Sequence, residues 1–225
     1  WVCGLPSPTA GNFCGVAREV ARRTLRTERE AKETVATTVV DGVLRRLVAA
    51  GTLPDLIVAM TIALGFYGFL RVSEILNLVW HQIRIYDDYA EFFVADSKTD
   101  QYHEGRWVVV AATPPAGEGA GAMCPIALLK RLLHAGGYRT RDAGATDALL
   151  VRGVSATPKA AAPFALRGPK VGLSYSTVLA KSRAAFKLAD PEFRTEAFAM
   201  HVLRVSGATE AARAEVPDRL RLVQG

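Results

Sequence analysis

Cysteine, histidine and long uncharged runs are scarce in this chain of 225 residues, and each shortage removes a class of function. Cys3, Cys14 and Cys124 are odd in number and widely spaced, which argues against a disulfide framework and a cysteine zinc site and fits a reducing, intracellular compartment. His81, His103, His134 and His201 include no pair at the i, i+4 spacing of a helical metal site, so nothing calls for a protein-bound metal, and no cofactor is expected. Residues 56–70 carry no charge, but that run is shorter than the roughly 20 residues a bilayer span needs, and Pro54, Asp55 and Arg71 close it. A core helix is expected there, and no membrane association. The first residue is Trp1, and the segment after it lacks the charged start and apolar core of a signal peptide; the chain is expected to be a piece of a longer one.

The remaining composition describes a globular protein. Half the residues are apolar and 22% are charged, enough to bury a core and too apolar for a disordered chain. A net charge of +6 and a pI near 9.4 lean toward a polyanionic partner without requiring one.

The pattern predicts a mostly α-helical α+β fold. Val35, Val39, Val40, Val43, Leu44, Leu47 and Val48 recur at helical spacing and Gly51 follows as a stop. Pro54 suits the first turn of the next helix, which is apolar on nearly every side and therefore belongs at the centre. At its end comes G-F-Y-G-F-L-R-V-S-E-I-L-N-L, which places Arg71 in a tight bend, with Ser73 as the expected cap of a short helix and Glu74 as its nearest partner. An arginine cannot lose its proton to escape burial, so at this edge it needs a carboxylate, carbonyls or a phosphate.

The period then changes from helix to strand. Ile83 and Ile85, then Ala90, Phe92 and Val94 beyond an Asp87-Asp88 turn, then residues 107–110 predict a small three-stranded antiparallel sheet. The loop S-K-T-D-Q-Y-H-E-G between its second and third strands carries Lys98. Residues 113–122 read as loop, and Pro125 opens a helix through Leu133. Residues 136–173 read as loop-rich, with Lys159, Arg167 and Lys170 either tracking a phosphate backbone or simply solvated. Ser174 caps a helix presenting Tyr175, Leu179 and Phe186. Helices are expected over residues 199–213 and 217–223; in the former His201 and Arg204 leave one face, and Phe198, Val202 and Val205 join the core.

Three stretches, G-F-L-R-V-S-E-I-L-N-L, S-K-T-D-Q-Y-H-E-G and H-V-L-R-V-S-G-A-T, stand in an order that resembles the catalytic domain of tyrosine recombinases, the phage-integrase family. The resemblance implies site-specific DNA recombination or integration by strand breakage and rejoining through a 3′-phosphotyrosine link, in a mobile element. Arg71 and Arg204 would clamp the phosphate, Lys98 would protonate the departing 5′-oxygen, His201 would act near the nucleophile's proton or the phosphate oxygens, and Glu74 would hold Arg71. It also implies double-stranded DNA as partner, a homotetramer on paired sites, and a location in prokaryotic cytoplasm or a eukaryotic nucleus. Residues 1–30 would then be the end of a core-binding domain with its linker, and residues 31–225 the catalytic domain. In the family the tyrosine lies beyond the His-x-x-Arg helix, whereas Tyr67, Tyr86, Tyr89, Tyr102, Tyr138 and Tyr175 all precede His201. The nucleophile is expected beyond Gly225, this chain alone is expected to be inactive, and Tyr175 is expected to pack in the core. A non-catalytic DNA-binding relic, a type IB topoisomerase-like enzyme and a membrane-associated helical protein stay open as alternatives.

Overall fold

A computed structural model describes residues 14–17, 20, 34–96, 104–113, 123–138, 147–159 and 163–217. The chain divides into two compact units, Trp1–Glu33 and Thr34–Gly225. In the first, residues 14–17 and 20 are helical. The second forms, in order, α1 (Thr37–Ala50), α2 (Leu53–Tyr67), α3 (Val72–Leu76), a 3-10 turn (Trp80–Gln82), β1 (Ile83–Ile85), β2 (Tyr89–Val94), β3 (Arg106–Ala111), α4 (Pro125–Ala135), β4 (Val154–Ala156), β5 (Phe164–Leu166), α5 (Tyr175–Ala189) and α6 (His201–Arg213). The α+β class and the small antiparallel sheet predicted from the sequence are both present.

Helix α2 organises this unit because it has no polar side to show to water. Thr52 caps it by accepting from the Asp55 amide, Pro54 fills its first turn, and every residue from Leu56 to Phe66 is buried. Four helices, α1, α4, α5 and α6, pack around it, which is why its apolar surface runs all the way round. Full burial of each large aliphatic side chain contributes about 1.5–3 kcal/mol, so α2 is the largest single source of cohesion. Among the described residues no helix is long and apolar enough to cross a membrane.

The three-stranded sheet has the order β1-β2-β3, with Ile83 opposite Phe92, Phe92 opposite Val108 and Val94 opposite Arg106. Period-two alternation buries Ala90, Phe92, Val94, Val108 and Val110 and turns Trp107 and Val109 outward. The region expected to be loop carries more order than the pattern announced. β4 and β5 pair antiparallel, Val79 bridges Leu149, and Arg152 bridges Gly172. Strands of three residues are too short for alternation to declare them, and the bonds that fix them come from far along the chain.

Three expectations are corrected. Val205 is exposed; the buried side of α6 is Val202, Leu203, Ser206 and Gly207. Small residues win that face because α6 rides directly on the end of α2: a Cβ on Gly207 would lie within 2 Å of the Phe66 carbonyl oxygen. Tyr175 is 45% exposed at the first turn of α5, where its neighbours Ser174 and Ser176 also face water, so it is not a core residue. Ser73 does not cap α3, because the helix begins at Val72, with Arg71 in the cap position. The residues expected to form a helix over 217–223 lie, apart from Pro217, outside the described residues.

Candidate active site

The bend between α2 and α3 is made by a residue that resists it. Phe69 sits at φ 51°, in the left-handed region that costs a non-glycine residue roughly 1–2 kcal/mol. Leu70 is buried immediately after, which anchors the turn, and Arg71 comes next with extended backbone. Glu74, three residues on, reaches back with both carboxylate oxygens. Oε2 accepts from the Arg71 amide at 2.7 Å and Oε1 from Arg71 Nη1 at 2.9 Å. One side chain thus caps the helix and orients the arginine.

Glu74 is only 3% exposed, and Arg71 is not its only cationic neighbour. Arg204 Nη1, from α6, lies 3.9 Å from Oε2, and Arg106 Nη2, from the start of β3, lies 3.8 Å from Oε1. Three guanidiniums from three distant stretches of sequence therefore face one carboxylate. The three arginine side chains are each between 19% and 28% exposed, so the cluster opens on the surface while its counter-ion is buried beneath. Burial, and then the neighbouring Arg71, pull the Arg204 guanidinium below the ordinary arginine range; Glu74 opposes this and Arg106 adds to it. The guanidinium stays charged, so the crowding is borne as repulsion that an added anion would relieve.

Of the residues singled out from sequence, Arg71, Glu74 and Arg204 are brought together. His201 opens α6 one turn before Arg204, with its side chain exposed. Lys98 lies outside the described residues. Four of the described tyrosines have other engagements. Tyr67 donates to Asp41 at 2.6 Å, and burial, that hydrogen bond and the Asp41 charge raise its pKa far above the ordinary tyrosine value. Tyr138 is fully buried and donates to the Leu150 carbonyl. Tyr86 and Tyr89 stack on each other across the β1–β2 turn. Among the described residues no three His, Cys, Asp or Glu side chains gather to hold a metal ion.

Arg106 is the residue that the sequence reading missed, by a single position. The third strand was expected from Trp107, but β3 begins at Arg106. Extending the alternation back from Val110 and Val108 puts Arg106 on the inward face, and an inward charge at a strand end is the signal that was available.

The fold resembles that of FLP recombinase. An FLP recombinase–Holliday junction complex matches with a TM-score of 0.51 at 11% identity, over 93% of this chain and 47% of that one. A Flpe mutant in a DNA Holliday junction complex matches at 0.52 and 10% identity, over 98% and 54%, and a Flpe–Holliday junction complex at 0.51 and 11%, over 97% and 52%. The chain spans about half the length of these FLP structures, and at such low identity the likeness shows the fold alone. A scan against family models and a search of curated proteins each returned no match.

Proposed function

We propose that this chain binds double-stranded DNA and that residues 34–225 are the catalytic domain of a tyrosine recombinase. The observation that carries the reading is the three-arginine cluster around Glu74, open to the surface on a fold shared with DNA-bound FLP recombinases. A phosphodiester carries one negative charge and gains a second as an oxyanion nucleophile attacks. A seat of three guanidiniums gathered on one buried carboxylate suits that more highly charged transition state better than the resting linkage, which is the condition for catalysis.

In the proposed reaction a tyrosine oxygen bonds to phosphorus and the bond to the 5′-oxygen breaks. Arg71 and Arg204 hold the non-bridging oxygens, His201 takes the tyrosine proton, and Lys98 delivers a proton to the departing 5′-oxygen. Glu74 keeps the arginines aligned without neutralising them. We expect the protein to act as a homotetramer on paired sites, in a mobile element.

The seat can be tested without the tyrosine. The substrate is a thymidine 3′-phosphate p-nitrophenyl ester, whose nitrophenolate leaves from the position of the 5′-oxygen; an added peroxide or alcohol attacks phosphorus and gives up its proton to buffer. The chain should accelerate release, and Arg71→Ala or Arg204→Ala should each lose about 10²–10³ of that acceleration. Lys98→Ala should be near wild type with this leaving group and slow with an ordinary 5′-oxygen. Binding to duplex DNA that falls steeply with salt, with no acceleration and no effect of either arginine, would support the non-catalytic relic instead.

A further inference from the structure

The guanidinium of Arg106 is poorly satisfied for one so placed. Among the described residues its counter-charge is Glu74 Oε1, at 3.8 Å from Nη2, beyond hydrogen-bond range, and that oxygen already accepts from Arg71 at 2.9 Å. Nε and Nη2 are buried with no hydrogen-bond partner among the described residues. These two N–H groups form the straight edge of the guanidinium, the one that matches two oxygens of a carboxylate or phosphate side by side. Buried donors left unmade are costly, and a cation pushed toward two other cations is costlier. A chain selected for stability alone would place an apolar residue on this inward position of β3, in line with Val108 and Val110.

Local structure makes the placement deliberate. Gly105, at φ 68°, turns the chain into β3 immediately before Arg106, and a Cβ there would lie 2.5 Å from the Phe93 ring. The register then sets Arg106 opposite Val94, the last pair of the β2–β3 ladder. Arg106 is thus tied to the sheet, Arg71 to the bend after α2, and Arg204 to α6. The three cations approach one point from three rigid elements.

We propose that Arg106 is a third arm of the phosphate seat, donating to the same DNA phosphodiester that Arg71 and Arg204 hold. This rests on the function proposed above and adds a residue to it. A seat with three arms holds the phosphate from three sides, and the third cation adds to the positive charge that meets it.

The test compares wild type, Arg106→Ala, Arg106→Lys, Arg71→Ala, Arg204→Ala and a surface control, Lys181→Ala, by three readouts. They are the melting temperature without anion, the apparent affinity for inorganic phosphate from thermal shifts at constant ionic strength, and the rate with the p-nitrophenyl ester. Arg106→Ala should melt at or above the wild-type temperature, since it removes repulsion, while phosphate affinity and rate each fall about tenfold to a hundredfold. Arg106→Lys should keep part of the affinity but not the rate, having charge without the fork. Lys181→Ala should change nothing. If Arg106→Ala melts lower yet keeps wild-type affinity and rate while Arg71→Ala and Arg204→Ala lose both, Arg106 is a structural ion-pair partner and the inference is wrong. If none of the three arginines alters affinity or rate, the phosphate seat itself is wrong and the inference falls with it.

Discussion

Replacing Glu74 with glutamine removes one charge and almost no volume, and its consequences can be worked from the geometry. The carboxylate is buried and sits 2.9, 3.8 and 3.9 Å from three guanidinium nitrogens. Removing one member of a buried ion pair costs about 3–5 kcal/mol. Here the arginines are 19–28% exposed and partly screened by water, which lowers the expectation to roughly 2–4 kcal/mol. The glutamine oxygen can still accept from the Arg71 amide, so the cap of α3 survives and the loss is electrostatic. For a unit of this size each kcal/mol moves the melting temperature by about 2–4 °C, so Glu74→Gln should melt roughly 5–15 °C lower. Inorganic phosphate, titrated at constant ionic strength in a scanning calorimeter, should then restore more of the variant's stability than it adds to wild type. An anion seated among the arginines replaces the missing carboxylate charge. A variant that melts with wild type and responds equally to phosphate would refute the convergence of the three arginines on Glu74.

Three further outcomes are expected. Gly207→Ala forces a methyl group against the Phe66 carbonyl and the Phe69 ring, and should destabilise by about 3 kcal/mol or more in urea unfolding while displacing Arg204; a wild-type midpoint would contradict the close packing of α6 on α2. Gly105→Ala puts a side chain at φ 68° and into Phe93, and should cost about 1–3 kcal/mol and weaken the phosphate response together, whereas a loss of neither would unseat Gly105 as the device that delivers Arg106. Tyr67 holds its proton in the folded state well above the 10.0 of an ordinary tyrosine, so as pH rises past 10.0 the unfolded chain releases a proton that the native one keeps, and stability falls with pH. Urea midpoints at about pH 9–11 should fall more steeply for wild type than for Tyr67→Phe, by up to about 1.4 kcal/mol per pH unit; parallel slopes would show that Tyr67 is not held protonated.

Where side-chain period is long and local, the sequence announced the structure. α1 with its Gly51 stop, the all-round apolar α2, the Ser174 cap and the alternation of β2 are each set by neighbours a few residues apart. Arg71 and Glu74 were legible as a pair for the same reason. The features that stayed hidden are set by distant contacts. β4 and β5 are too brief to show a period, and Val205 gave way to Ser206 and Gly207 because only small residues let two helix backbones meet. The convergence of Arg106 with Arg71 and Arg204 depends on the register of β3 and the crossing of α6 over α2, neither of which any local pattern encodes.

The central claim is that three arginines share one phosphate, and the most direct measurement is a crystal structure of the chain with dithymidine monophosphate soaked in. Phosphorus should lie over Glu74, with the non-bridging oxygens within about 3 Å of nitrogens from Arg71, Arg106 and Arg204. A phosphate bound elsewhere, or guanidiniums turned away to other acceptors with the space above Glu74 closed, would contradict it.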